Sequence, residues 1–207
     1  MIEVQYLYDT LKDLTFDNIY HEHYNYWSVL SLNNFFQRLG LQISNVDHVD
    51  THGGSIRVYV GAQGHLVNPS VSKFIKKEKE FGLDKLKTYK EFAKKIEKCK
   101  QDSVSKIQSL KDEGKSIVGY GSPAKATTVL NYYGIDSESI DYIIEDNDMK
   151  HGKLLPGVRI PIKGKNGSLD ENPPDNILVL AWNFFDYIKK NNQELVNRGC
   201  KFITLKD

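Results

Sequence analysis

KSIVGYGSPAKATTVLNYYG, residues 115–134, is the stretch on which the fold turns. Ile117 and Val118 begin an apolar run that ends in Gly119 and Gly121, Pro123 stands where a first helical turn begins, and a helical pattern then runs to Gly134. Proline suits the start of a helix and glycine the residue just past its end, so the stretch predicts strand, glycine turn and helix. The alternation continues downstream: IDYIIED (140–146) reads as a strand, PDNILVLAW (174–182) as another, NFFDYIKKNNQELVNRG (183–199) as a helix and CKFITL (200–205) as a last strand. Strands separated by helices imply a parallel sheet with right-handed crossovers. Residues 115–207 are therefore expected to form a doubly wound, Rossmann-like α/β domain.

Working back from that stretch, residues 63–114 are rich in lysine. Tyr89, Ala93, Ile96, Val104, Ile107 and Leu110 recur three or four residues apart, which predicts a long helical connector with a solvated charged face. Residues 1–62 mix elements. IEVQYL (2–7) alternates like a strand and YDTLKDL (8–14) reads as a short helix. FDNIYHEHYNYW (16–27) is aromatic enough to predict a strand, and Ser31 is the expected cap of a helix LNNFFQRLG (32–40) that buries Leu32, Phe35, Phe36 and Leu39 and stops at Gly40. QISNVDHV (42–49) and SIRVYVG (55–61) flank the turn-forming DTHGG and predict an antiparallel pair.

The chain has 207 residues, 28 Lys+Arg against 27 Asp+Glu, and a net charge of +1, so no single-sign field draws it to nucleic acid or to a membrane surface. Neither partner is expected. Cys99 and Cys200 are the only cysteines, too few and too far apart for a disulfide framework or a cysteine zinc knuckle, and a reducing cytoplasm fits them best. The opening MIEVQYLYDTLKD lacks the apolar core of a signal peptide, and no stretch approaches the ~20 apolar residues of a membrane span.

Two motifs carry chemistry. GYGSPA (119–124) has the form G-x-G-x-x-A, with Glu145 or Asp146 closing the next strand. Such a turn serves a dinucleotide, another phosphate-bearing ligand, or the fold alone; in the second reading the amides of Gly121 and Ser122, flanked by Gly119 and Tyr120, receive the phosphate with Lys125. Asn183 follows a strand's C-terminal end, where open α/β sheets bind ligands. IYHEHYNYW (19–27) sets His21 and His23 around Glu22 and between Tyr20 and Tyr24. On a strand the two histidines share one face and Tyr20, Glu22 and Tyr24 the other. With His48 and His52 they offer imidazoles to zinc, as in a metal-dependent hydrolase; alternatively one imidazole is a general base, positioned by Glu22 and Tyr20; or both are hydrogen-bonded at a strand end.

FDNIYHEHYNYWS (16–28), THGGSIRVYV (51–60), VGYGSPAKATTVLNYYGI (118–135), EDNDMKHGKLLPGVRIPI (145–162) and LVLAWNF (178–184), in this order, resemble the C-terminal portion of the S-adenosylmethionine-dependent sugar C-methyltransferases, which methylate carbon 3 of nucleotide-linked 4-keto-deoxysugars. The resemblance spans almost the whole chain. Glu145–Asp146 stand where the family pattern has Asp-Arg, and Ala181 where it has proline. It implies that residues 1–62 are the last part of a methyltransferase-type α/β domain, and that His23 removes the proton beside the ketone while Glu22 orients it and Tyr20 holds the enolate. It implies a nucleotide-diphosphate sugar as substrate, held through Gly119, Tyr120, Gly121, Ser122, Lys125 and Asn183. S-adenosylmethionine is implied as methyl donor, with its pocket and the family's zinc module expected outside this chain and no metal within it. A donor-binding subunit, or self-association through residues 1–60, is then the expected partner. A non-catalytic nucleotide-sugar-binding module is the alternative.

Overall fold

Strand β4 (Ile117–Tyr120) is buried along its whole length, and glycines bound the helix that follows it. Gly121 (φ +83°) makes the turn and Gly134 (φ +72°) ends α5 (Ala124–Tyr133) in the left-handed conformation that glycine adopts without a Cβ penalty. In the computed structural model, which describes residues 1–51, 53–165, 169 and 173–205, β4 is the centre of a five-stranded sheet. Its order is β6-β5-β4-β7-β8, with β5 at Ile143–Ile144, β6 at Ile162–Lys163, β7 at Asn176–Val179 and β8 at Lys201–Ile203. Every pairing is parallel. Helices α6 (Phe185–Asn191) and α7 (Gln193–Asn197) connect β7 to β8, divided at Asn192 where one continuous helix is expected from the pattern. The order reverses between β4 and β7, so their C-terminal ends form the topological switch point of a doubly wound, Rossmann-like sheet. Val118, Tyr120, Ile144, Ile177 and Val179 pack with Ile188, Leu195 and Cys200 on one side of it.

A second sheet is antiparallel throughout. β1 (Ile2–Gln5), β2 (Leu41–Val49) and β3 (Ser55–Ala62) lie in the order β1-β3-β2, with Val4 opposite Ile56 and Val46 opposite Val58. α1 (Leu7–Lys12), α2 (Val29–Arg38) and α3 (Pro69–Phe81) accompany it, and Tyr6, Val29, Leu32, Phe36, Ile43, Val46, Ile56, Val58 and Val71 form its core. Ser28, not Ser31, caps α2: its hydroxyl accepts the Ser31 amide at 3.0 Å while the Ser31 hydroxyl accepts the Ser28 amide at 3.0 Å, a reciprocal capping box that starts the helix three residues early. Leu32 and Phe36 are buried, whereas Phe35 and Leu39 remain 47% and 59% exposed.

The lysine-rich region is two helices, α3 and α4 (Leu86–Asp112), because Gly82 turns left-handed (φ +85°) between them. The chain divides into two compact units, Met1–Phe16 with His21–Ile96, and Asp17–Tyr20 with Glu97–Asp207. The strand expected over 16–27 does not form. Phe16–Asn18 is a 3-10 turn, Tyr20–Glu22 a bend and turn, and Trp27 makes a single bridge to Tyr6. Asp17 and Asn18 are buried in that turn, and Trp27 alone of the segment pairs as a strand residue does, with Tyr6. No described helix is long and apolar enough to cross a membrane.

Candidate functional site

Glu145, the first residue past β5, reaches back over the glycine turn. One of its carboxylate oxygens accepts the Ser122 amide at 2.9 Å, the Ser122 hydroxyl, and the Lys150 ammonium at 3.1 Å. The other accepts the Asn147 amide at 3.1 Å. Lys150 is held in place by the Ser122 carbonyl at 3.0 Å, and the His151 ring meets the Glu145 carbonyl at 2.7 Å. Burial works against the carboxylate's charge, but the Ser122 hydroxyl and amide, Lys150 and Asn147 outweigh it and hold Glu145 at about 2.

This arrangement answers the question posed by the G-x-G-x-x-A pattern. The Gly121 amide donates to the Ile144 carbonyl at 2.8 Å, continuing the ladder to β5, and the Ser122 amide is held by Glu145. Both amides expected to receive a phosphate are thus engaged within the chain, and a carboxylate stands at the helix start where an anion would sit. The glycines have steric reasons of their own. A Cβ on Gly119 would come within 2.8 Å of Ile143 and 3.2 Å of Leu180, and one on Gly121 within 2.8 Å of the Ala181 Cβ. Tyr120 is 5% exposed and donates its hydroxyl to Asp146 at 3.1 Å; burial first, then the Asp146 charge, pushes that hydroxyl up to about 12. It is a core residue with a satisfied hydroxyl, not an open contact for ligand. A cavity of about 500 Å³ lies beside Glu145, Asp146, Asp148, His151, Gly164 and Lys165.

Lys125 and Asn183 both follow strands of the parallel sheet, Lys125 in the helix after β4 and Asn183 after β7. Lys125, in the first turn of α5, lies with its ammonium 4.9 Å from the centre of the Trp182 ring, and Asn183 is exposed in the 3-10 turn Trp182–Phe184 just beyond β7. Trp182 donates its indole N–H to Asp17, which is 4% exposed. Sequence reasoning missed Asp17 and Trp182. Their separation of 165 residues leaves no periodic signal, although Trp182 does stand past a strand's C-terminal end, where open α/β sheets bind ligands.

The motif residues divide between the units. Tyr20 belongs to the second, with its amide donating to the Asn18 carbonyl at 3.1 Å, while Glu22 and His23 belong to the first. Without a strand, the alternation that set His21 and His23 on one face is absent. Glu22 is exposed; His23 is half-buried, its ring centre 6.5 Å from that of Tyr26 and nearly parallel to it. His48 contacts Asp9 at 2.6 Å instead of joining these histidines, and His52 lies outside the described residues. Among the described residues no three His, Cys, Asp or Glu side chains are placed to share a metal ion.

Comparison with known proteins places this geometry in a family. Residues 50–205 match the family described as the C-methyltransferase C-terminal domain. Over 204 residues the chain is 36% identical to the C-methyltransferase NovU of Streptomyces niveus, an alignment that covers 98% of this chain and 48% of that protein. The chain thus spans about half the length of this relative. On both findings, the chain belongs to the C-methyltransferase family, of which it carries the C-terminal domain.

Proposed function

We propose that the chain is the substrate-binding and proton-abstracting portion of a C-methyltransferase acting on a nucleotide-linked 4-keto-deoxysugar. The supporting observation is the presence of Tyr20, Glu22 and His23, in a chain of this family, on an irregular segment that leaves the Glu22 carboxylate exposed and the His23 ring only half-covered. A carbon beside a ketone becomes a nucleophile once its proton is removed. The His23 imidazole is the base that takes the proton, Glu22 orients the ring, and the Tyr20 hydroxyl donates to the enolate oxygen. A placed base contributes ~10²–10⁴ in rate. Lys125 and Asn183 bind the nucleotide portion.

The described residues do not fit S-adenosylmethionine. The first unit's sheet is antiparallel throughout, and the amides of the second unit's glycine turn are taken by Ile144 and Glu145. The methyl donor is therefore held outside the described residues, by a donor-binding segment or subunit, or in an assembly formed through residues 1–60, where β1 has β3 on one side only.

The proton-transfer step is tested apart from methyl transfer. Incubated in deuterated water with the chain and a donor-binding segment, the nucleotide-linked ketosugar exchanges its carbon 3 hydrogen, read by proton NMR. His23→Asn is expected to slow that exchange by about 10²-fold or more. Undiminished exchange in H23N would refute the assignment of the base.

A further inference from the structure

Asp17 is a buried carboxylate whose surroundings single it out. It is 4% exposed, one oxygen accepts the Trp182 indole N–H, and the other has no hydrogen-bond partner among the described residues. A carboxylate removed from water needs its charge answered. The cation nearest to hand lies over the face of the same indole: the Lys125 ammonium sits 4.9 Å from the ring centre. A carboxylate accepting the indole N–H draws that proton outward and raises electron density over the ring, which strengthens the attraction of a cation to its face. Carboxylate, indole and ammonium therefore form one polarised series at the C-terminal ends of β4 and β7, the edge of such a sheet at which ligands bind. All three residues lie in the second unit, as does Tyr20, three positions after Asp17.

We propose that Asp17 and Trp182 are positioning residues for Lys125, holding its ammonium at the switch point as the receiver of the diphosphate of a nucleoside diphosphate. This rests on the substrate reading above and adds to it two residues that act through Lys125.

A double-mutant cycle tests the idea, with thymidine diphosphate as probe and calorimetry on the 207-residue chain. Asp17→Asn keeps size and an acceptor for the indole but removes the charge; Trp182→Phe keeps a ring face but removes the donor. Each is expected to weaken binding on the order of 3–10-fold, and neither to weaken it further in a Lys125→Met background, because both act through that ammonium. Equal losses with and without Lys125, or no loss in D17N, would overturn the positioning role. D17N is nearly isosteric and keeps the test open should W182F fail to fold. If the unsubstituted chain does not bind thymidine diphosphate at all, the substrate reading falls and the positioning role with it; normal binding that D17N and W182F leave untouched removes only the latter.

Discussion

Glu145 and Ser122 form a closed pair across the glycine turn: the carboxylate accepts both the amide and the hydroxyl of the serine, with the Lys150 ammonium 3.1 Å from the same oxygen. The acid that ends the second strand of a doubly wound sheet commonly holds a ribose hydroxyl. Here it neutralises the helix start that would otherwise attract an anion. The pair is a structural lock on the turn between β4 and α5.

That lock predicts a defined pH dependence. Glu145 sits at about 2 when folded against an ordinary 4.5. A depressed acid contributes stability that is fully present above the unfolded value and is lost as pH falls through the folded one. The gap corresponds to roughly 3 kcal/mol as an upper bound. Glu145→Gln should therefore be destabilised by a few kcal/mol at pH 7, and its deficit against the parent should shrink as pH falls from about 5 towards 2. Urea midpoints across that range measure it, and a deficit independent of pH would contradict it.

Gly121 yields a second prediction. Were its hydrogen needed for close approach of a pyrophosphate, Gly121→Ala would lose ligand and keep stability. With φ at +83° and an added Cβ 2.8 Å from that of Ala181, the loss should instead be in folding. Left-handed backbone costs an L-residue ~1–2 kcal/mol and overpacking adds ~1–3. G121A is expected to lose about 2–5 kcal/mol in thermal or urea unfolding, and an unchanged melting temperature would show that the turn relaxes.

The doubly wound unit was legible in the sequence because its signals are local. Apolar runs that stop at Gly119 and Gly121, the left-handed stop at Gly134 and the run before Leu180 each state an element within a few residues. β6 was not legible: it is two residues long, Ile162–Lys163, and follows Pro161, so neither length nor alternation marks it. The segment 16–27 misled for a different reason. Aromatic residues favour strands only where a ladder and a packing face are offered, and here Trp27 alone finds a bridge, to Tyr6. The site divides in the same way. Lys125 was proposed from its charge beside the glycine turn and Asn183 from its place after a strand, whereas Asp17 and Trp182, 165 residues apart, meet through folding alone.

Glu78 supplies the last prediction. It is 0% exposed in α3, and its two carboxylate oxygens accept the amides of Val29 and Leu30, each at 2.7 Å. Those are the first two residues of α2, the helix that emerges from the segment bearing Glu22 and His23, so a buried acid pins the exit of that segment. Burial raises its pKa above the ordinary 4.5, against the pull of the Leu30 and Val29 amides. A raised acid favours the fold most below the unfolded value, and that contribution is lost as pH rises through the folded one. Glu78→Ala leaves the buried Val29 amide and the partly buried Leu30 amide without acceptors, and a cavity, and should cost on the order of 3–5 kcal/mol. Glu78→Gln keeps one acceptor and the volume, so it should cost less than E78A and gain on the parent as pH rises from about 4 to 7. Hydrogen exchange at Val29 and Leu30 should speed up in E78A before the sheet amides of β3 respond. Equal protection of those amides in E78A and the parent would mean that Ser28 alone holds the start of α2.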